Sequence, residues 1–429
     1  MMKISYLLMI AAMFSQAQVS LAEYQAPDSL LNPKQTLTIG TGKYSADSTD
    51  DSAVFQRAID DVHESGGGRV VIPAGDYQLI EVNLKSDVHL LFQSGVTIRP
   101  FTQVKKGKNR NVFNLGMKDA VKNVSVVGPE DRVTFDCSAI GDEDEFRAVC
   151  MNDCNNFRIA NLTINDNFTK FSSITLGWGG VEDGKAKVAR NGLIENITAD
   201  KAHYGYGAIQ AHSGESIVFR NTKSTGGVGV RLETGSGKLL ESGIGGLFDI
   251  TVEDVTSING QGALMFQPHT IEHGNVVARN IHSDGSEFCV YIAKPYVSKK
   301  KLGEDTTQKA GSFRSIKVDG VKAIYRDGPI VTRSVHFECY PVELHKKIVR
   351  VDNGTQPGFR GPSIAAVANM RPDMNVSITH IEAIGFKYRP DTLTPNDLYH
   401  GKITNLSRPK GKDSIETRKK TEQRIRRKK

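Results

Sequence analysis

Residues 191–225 read NGLIENITADKAHYGYGAIQAHSGESIVFRNTKST, and the two triplets inside them, Asn196-Ile197-Thr198 and Asn221-Thr222-Lys223, decide the fold. They stand 25 residues apart, and each follows a run of alternating apolar residues. A unit of that length is too short for a strand, a helix and their loops. It suits one coil of three short strands stacked on the next coil. Working outward, the same step recurs at Asn161-Leu162-Thr163, Asp254-Val255-Thr256 and Asn280-Ile281-His282, giving intervals of 35, 25, 33 and 26 residues. The longer intervals are the same coil with a loop inserted, at Gly180 to Lys187 and Gly235 to Gly246. Asn123-Val124-Ser125 and Asn375-Val376-Ser377 read as weaker members that extend the stack both ways. Asn suits a tight corner because it tolerates the left-handed backbone and bonds to its neighbours. Stacked copies are expected to pass hydrogen bonds from coil to coil. Unequal insertions around a kept motif disfavour a sandwich. The fold class is all-β, a right-handed parallel β-helix.

A stack of coils exposes its core at each end and needs a polar-backed lid. Residues 47–77 supply one. Asp50-Asp51-Ser52 is read as the cap of a short helix, Ala53 to Val62, with Val54, Ala58, Ile59 and Val62 on one face. Gly66-Gly67-Gly68 ends it, Arg69-Val70-Val71-Ile72-Pro73 is a buried strand, and Ala74-Gly75-Asp76-Tyr77 turns into the next. This block resembles the entry segment of pectate-lyase-like β-helix proteins, a resemblance of fold and not of chemistry.

The first residues read as a secretory signal: Lys3, the apolar run Ile4 to Phe14, and Ser20-Leu21-Ala22 before Glu23. The organisation expected is a signal peptide at 1–22, one β-helix domain at 23–407 and a basic tail at 408–429. The product would be periplasmic or extracellular, without stable membrane insertion. The net charge of +7 sits in the tail, where eleven Lys or Arg face Asp413, Glu416 and Glu422. The body is close to neutral, so no global basic field favours nucleic acid. Cys137, Cys150, Cys154, Cys289 and Cys339 would meet an oxidising destination. Cys150 and Cys154 are close enough to pair across a turn, and the odd count leaves one thiol free. No second ligand pair follows them, so a zinc site is rejected. No cofactor is expected for catalysis; a structural calcium ion is compatible with the reading.

Each central coil opens with a strand: Tyr206 to Ser213, Gly229 to Thr234, Gly262 to His269, Phe288 to Lys294. Alternation makes every second residue point outward, and neighbouring coils place those residues about 4.8 Å apart. Gln210, His212, Arg231, Glu233, Gln267, His269 and Lys294 therefore form one polar patch, which folding does not require. Arg231 and Lys294 also suit plain solubilising charges. Glu233, between two coils that carry histidines, is the candidate proton donor.

The strand Arg231-Leu232-Glu233-Thr234, with Gln210 one coil before and His269 one coil after, resembles the active-site core of iota-carrageenases, glycoside hydrolase family 82. The resemblance covers the body from about residue 40 to 400; its specific part is 206–270. It implies hydrolysis of β-1,4 linkages in a sulfated red-algal galactan with inversion, by a protein expected to be monomeric. Glu233 carries over as general acid, Gln210 as the residue holding water or sugar, and His269 as a substrate-orienting group. Arg231 and Lys294 suit sulfate esters. His212, Gln267 and Trp178 join them as substrate-binding candidates.

One departure stands out. The family has an Asp, acting as base, two residues after the acid; here that residue is Gly235. An extended strand would put such a pair about 7 Å apart, within the roughly 6.5–9.5 Å an inverting enzyme uses. Three readings stay open. A carboxylate such as Glu215, Glu272, Asp284 or Glu287 reaches the same spot; the register slips and Glu241 folds back; or the protein binds the glycan with little or no cleavage. A polysaccharide lyase is a further alternative, disfavoured by the lack of an Asp cluster. The short basic loop from Lys299-Lys300-Lys301 to Lys309 stands where the family often carries a domain over the cleft.

Overall fold

The computed structural model describes residues 24–403 except 48, 103–109, 142–143, 298–308, 329, 352–357 and 402. The signal segment, the basic tail and the basic stretch 299–308 lie outside the described residues. Parallel pairing runs without a break from Gln35–Thr38 to Val376–Ile384, strand on strand in near-exact register. A second face stacks Val82–Asn83, Arg110–Leu115, Phe146–Met151, Ile174–Leu176, Arg190–Ala211, Gly214–Glu233, Gly262–Gln267, Phe288–Ile292 and Ala365–Asn369. This is the right-handed parallel β-helix that the repeat predicts, and its second face is the floor of the site.

The corners behave as the asparagine argument requires. Asn161, Asn196, Asn221, Asp254 and Asn280 all have φ between 49° and 61°. The Asn196 amide donates to Asn161 Oδ1 at 2.8 Å, Asn221 to Asn196 at 2.6 Å, and Asn280 to Asp254 at 2.9 Å. The two weaker members belong elsewhere. Val124 pairs with Phe157, so Asn123 stacks under Asn156 on a second corner that continues through Asn191, Ser216 and Asp249. Val376 pairs with Ile316, and Ile316 with Val276, which puts Asn375 on that second corner too. Sequence spacing alone could not separate two corners that both favour Asn.

The cap helix runs Ser52–Glu64 and buries Phe55, Ala58, Ile59 and Val62 against the first coil; Val54 is only partly buried. Asp51 does not cap the helix through its side chain. Its carboxylate accepts from Asp47 N and Gln78 N instead, tying the lid to the sheet. All five cysteines are buried thiols. Cys150 lines the floor, whereas Cys154 lies in the core, so the pairing read from their spacing fails because the corner sends them to different sides of the sheet. No helix among the described residues is long and apolar enough to cross a membrane.

Among the described residues, three excursions leave the coils. Residues 181–186 form a small hairpin, Gly237–Ser242 a short helix, and Ser334–Cys339 and Val342–Lys347 two 3-10 turns beside a three-stranded antiparallel sheet of Ile330–Thr332, Val349–Arg350 and Phe359–Gly361. The last of these has no counterpart in the sequence reading, which looked for a cover only at 299–309.

Candidate active site

The floor is a ladder whose side chains follow from the register. Asn114, Cys150, Thr175, Gln210, Arg231, Met265 and Tyr291 stand side by side across seven coils. Glu233 and Gln267 form the next row. Together with Ser236 and Lys238 at the short helix and Arg333, His336 and Glu338 from the 3-10 excursion they line a cleft of about 1180 Å³, shared with His212, Trp178, His269 and Lys294. All eight sequence-derived site residues therefore meet in one cleft.

The strand boundaries differ from those expected. Strand pairing ends at Ala211, Glu233, Gln267 and Ile292. His269 lies beyond Pro268, which lacks the N–H to continue a ladder, and adopts φ 55°. That left-handed turn swings its ring back over the strand end. His269 Nε2 donates to Glu233 Oε1 at 3.1 Å, while Arg231, two residues before on the same face, contacts Glu233 Oε2.

Glu233 is thus held by two cationic or proton-donating partners while only 8 % exposed. Burial pushes its carboxyl upward, but the Arg231 guanidinium and the His269 bond outweigh it and draw the group down to about 2. Beside Arg231 and His269, Glu233 is held ionised, whereas a working proton donor needs its pKa raised. The depressed pKa contributes stability that is fully present above the unfolded value near 4.5 and is lost as pH falls toward 2. Replacing Arg231 by Met leaves burial unopposed by the guanidinium. Glu233 in that variant should titrate above 4.5, read as the carboxyl signal lost in a Glu233→Gln spectrum. A carboxyl that still titrates near 2 would mean the guanidinium is not what ionises it.

A buried hydrogen-bond frame fixes these groups across three coils. His273, stacked on Phe313 with ring centroids 4.5 Å apart, accepts from Leu247 N through Nδ1 at 2.9 Å. Its remaining proton on Nε2 then faces Thr234 Oγ1 at 3.2 Å, and Thr234 donates to His212 O at 2.9 Å. Burial drops His273 to about 3, so it stays neutral and keeps this tautomer. His212 is lowered to about 4 by burial, and its Nδ1 accepts from Gly235 N at 3.1 Å. The residue at 235 is therefore positioned through its backbone, not its side chain.

The carboxylates considered as replacements for an Asp at 235 do not reach the cleft. Glu215 pairs with Arg190, Glu272 with Ser312, and Asp284 with Arg326, all on outer surfaces; Glu241 is exposed on its short helix. Glu287 is fully buried, accepting from Tyr204 OH at 2.5 Å and His336 Nδ1 at 3.0 Å. It sits six residues before Ala293, whose coil adjoins that of Gln267, so it lies about 20 Å along the strand direction from the Glu233 row. Among the described residues, Glu338 is the one other carboxylate lining the cleft, and it pairs with Lys294 Nζ at 2.6 Å.

Several lining residues escaped the sequence reading: Arg147, Phe171, Tyr204, Tyr206, Tyr291, Tyr296, Arg333 and His336. Tyr206 had a signal, being on the Gln210 strand at an even spacing. Arg147 had none, because strict alternation fails on this face. Ala148 and Val149 both lie in the core, and both of their amides point to Ser173 O, a bulge that turns Arg147 and Cys150 to the same side. Trp178, at the rim, donates from Nε1 to Ile244 O at 2.9 Å and so braces the 236–246 loop. No group of three or more His, Cys, Asp or Glu among the described residues is arranged to hold a metal ion.

No family model matches the chain. The iota-carrageenase of Alteromonas macleodii is 34% identical over 238 residues, 55% of this chain and 48% of that protein. The iota-carrageenase of Zobellia galactanivorans is 32% identical over 266 residues, 62% of this chain and 53% of that protein. The chain thus spans about half the length of these relatives. Agreement in three dimensions is broader. A solved iota-carrageenase complexed to iota-carrageenan fragments superposes with a TM-score of 0.80 at 25% identity, covering 91% of this chain and 97% of that one. A family GH82 iota-carrageenase from A. fortis gives 0.78 at 25% identity, over 91% and 96%. A repeat-length reading, a polar ladder centred on Glu233 and two independent likenesses agree: the chain is similar to iota-carrageenases in sequence and in fold.

Proposed function

We propose that this protein is a secreted glycoside hydrolase that cleaves β-1,4 linkages of a sulfated galactan, with Glu233 as proton donor. The observation that carries the reading is the charge of the cleft. Among the described residues, Arg147, Arg231, Lys238, Lys294 and Arg333 line it against Glu233 and Glu338, in a body that is otherwise near neutral. Such a surplus, interleaved with Trp178, Tyr206, Tyr291 and Tyr296, suits a chain of sugar rings carrying anionic esters.

The ionised state of Glu233 beside Arg231 fits this role once the substrate is considered. A sulfate ester bound at Arg231 draws the guanidinium's charge onto its own oxygens. Burial then dominates and Glu233 rises toward the range of a working acid. Gln210, 6 % exposed beside Arg231, holds a sugar hydroxyl or the water. His269 orients the Glu233 carboxyl toward the glycosidic oxygen. Inversion would require water to be activated on the opposite face, where Gly235 offers no carboxylate.

Digestion of iota-carrageenan, other sulfated galactans and pectate tests the assignment. New reducing ends on a sulfated galactan, with no ultraviolet-absorbing unsaturated ends, are expected. Unsaturated products would replace hydrolysis by a lyase reaction. Binding without new ends would leave a glycan-binding protein, a reading that Gly235 itself favours.

A further inference from the structure

The excursion that carries Ser334–Cys339 is pinned to the coils by a carboxylate that folding alone does not call for. Glu287 is fully buried, and its Oε2 accepts from Tyr204 OH at 2.5 Å and from His336 Nδ1 at 3.0 Å. Its Oε1 is buried with no hydrogen-bond partner. Apolar side chains of similar volume would hold the excursion without that cost, because two donors offset only part of a carboxylate's desolvation.

What the carboxylate does achieve is to fix an imidazole. Phe288 and Tyr291 stack with ring centroids 4.6 Å apart, and the His336 ring meets both edge-on, at 5.4 and 5.3 Å. Packing sets the plane of the ring, and Glu287 sets its tautomer, because Nδ1 carries the donated proton. Nε2, across the ring from Glu287, makes no hydrogen bond among the described residues, and His336 lines the cleft while only 4 % exposed. The neutral ring thus offers the cleft an oriented lone pair. His336 also stands away from the reacting bond. Tyr291, against which it packs, is two rungs from Arg231 by way of Met265, about 10 Å along the helix axis. Glu233 lies two residues further along its own strand, about 7 Å. That combined offset exceeds the roughly 6.5–9.5 Å between acid and base in an inverting hydrolase. It suits a ring of the bound chain other than the one cleaved.

We infer that His336, fixed by Glu287, binds a free hydroxyl on a galactan ring that is not cleaved, with Nε2 as the acceptor. The inference rests on the galactan reading above and adds a specificity to it. A hydroxyl donates to that lone pair, whereas a sulfate ester or an ether brings only acceptor oxygens. The subsite therefore favours a chain that leaves this one hydroxyl unsubstituted. Glu287 acts through His336 and is a positioning residue.

Affinity electrophoresis of the full-length protein tests this, in gels of iota-carrageenan and of the same polymer O-methylated at its free hydroxyls. Methylation keeps every ester and removes every hydroxyl donor, and pH 8 keeps an ordinary imidazole neutral. His336→Phe preserves the ring packing on Phe288 and Tyr291 and lacks the acceptor, while His336→Gln puts an amide oxygen in place of Nε2. Wild type should bind the unmethylated polymer more tightly. His336→Phe should weaken that binding by roughly tenfold and leave binding to the methylated polymer unchanged, with His336→Gln in between. Unchanged binding by a folded His336→Phe protein overturns the subsite, and so does equal weakening on both polymers, which marks a structural role. Wild type that binds both polymers equally overturns it without any variant. Wild type that binds neither sinks the galactan reading as well, an outcome distinct from failure of the subsite alone.

Discussion

Replacing Glu233 by Gln should lower hydrolysis of a sulfated galactan by about 10²–10⁴-fold, the range a positioned general acid supplies. The amide has the same shape and fills the same space, so the strand end and the His269 turn are expected to persist. What it lacks is an acidic proton. The change also removes the charge that holds Arg231, whose side chain is 12% exposed and contacts the carboxylate. Freed from that partner, Arg231 should bind a sulfated chain at least as tightly as before. The variant therefore separates the two roles of the cleft: kcat collapses while affinity is kept or improved. Turnover comparable to wild type in a folded Glu233→Gln protein would remove Glu233 from the chemistry. Parallel loss of binding and turnover would make it a structural residue.

The experiment is informative because acid and cation are neighbours on one strand. Arg231 and Glu233 share a face by simple alternation, and the same alternation let the sequence alone bring them together with Gln210 and Gln267. The fold was legible for a related reason. A corner Asn needs the left-handed backbone and its neighbour's side chain, which leaves a mark at each coil. Two marks were misassigned, Asn123 and Asn375, because a β-helix has more than one corner that selects for Asn. The resemblance to iota-carrageenases agrees with the overall superposition on their solved structures.

The unread part of the site has physical causes. Arg147 was hidden by the bulge at Ala148–Val149, which breaks the two-residue period on which the outward residues were chosen. The same doubling recurs at Val112–Phe113, Ala263–Leu264, Cys289–Val290 and Ala366–Val367, whose members all lie in the core. It is therefore a property of this face, invisible to any strictly alternating reading. Arg333, His336 and Glu338 were hidden because they arrive on an excursion more than 60 residues after the His269 turn, anchored by the buried Glu287. The sequence makes Glu287 a candidate carboxylate partner of Glu233. It serves instead as an anchor, since Tyr204 and His336 both donate to its Oε2.

Gly235→Asp should raise turnover on a sulfated galactan, by roughly ten- to a thousandfold if the want of a base limits wild type. The site accepts the side chain. A Cβ placed on Gly235 meets His212 Cε1 at 3.5 Å and Glu233 Oε1 at 3.7 Å, ordinary contacts, and the backbone is not left-handed there. The Gly235 N–H bond to His212 Nδ1 is made by the main chain and survives the change. Gly235 N also donates to Glu233 O at 3.1 Å, so the chain bends after the acid. The extended 7 Å spacing assumed from sequence therefore does not apply, and the new carboxylate would sit closer to Glu233. Two nearby carboxylates do not ionise independently, and the second anion lifts the pKa of the first. The alkaline limb of the pH–rate profile should accordingly move upward as turnover rises, because Glu233 must be protonated to act. The new anion should also raise His212 from its depressed value near 4. A gain in rate with that shift would identify position 235 as the place where this chain lost its second carboxylate. A folded, binding-competent variant no faster than wild type would mean that the absent Asp is not what limits the reaction.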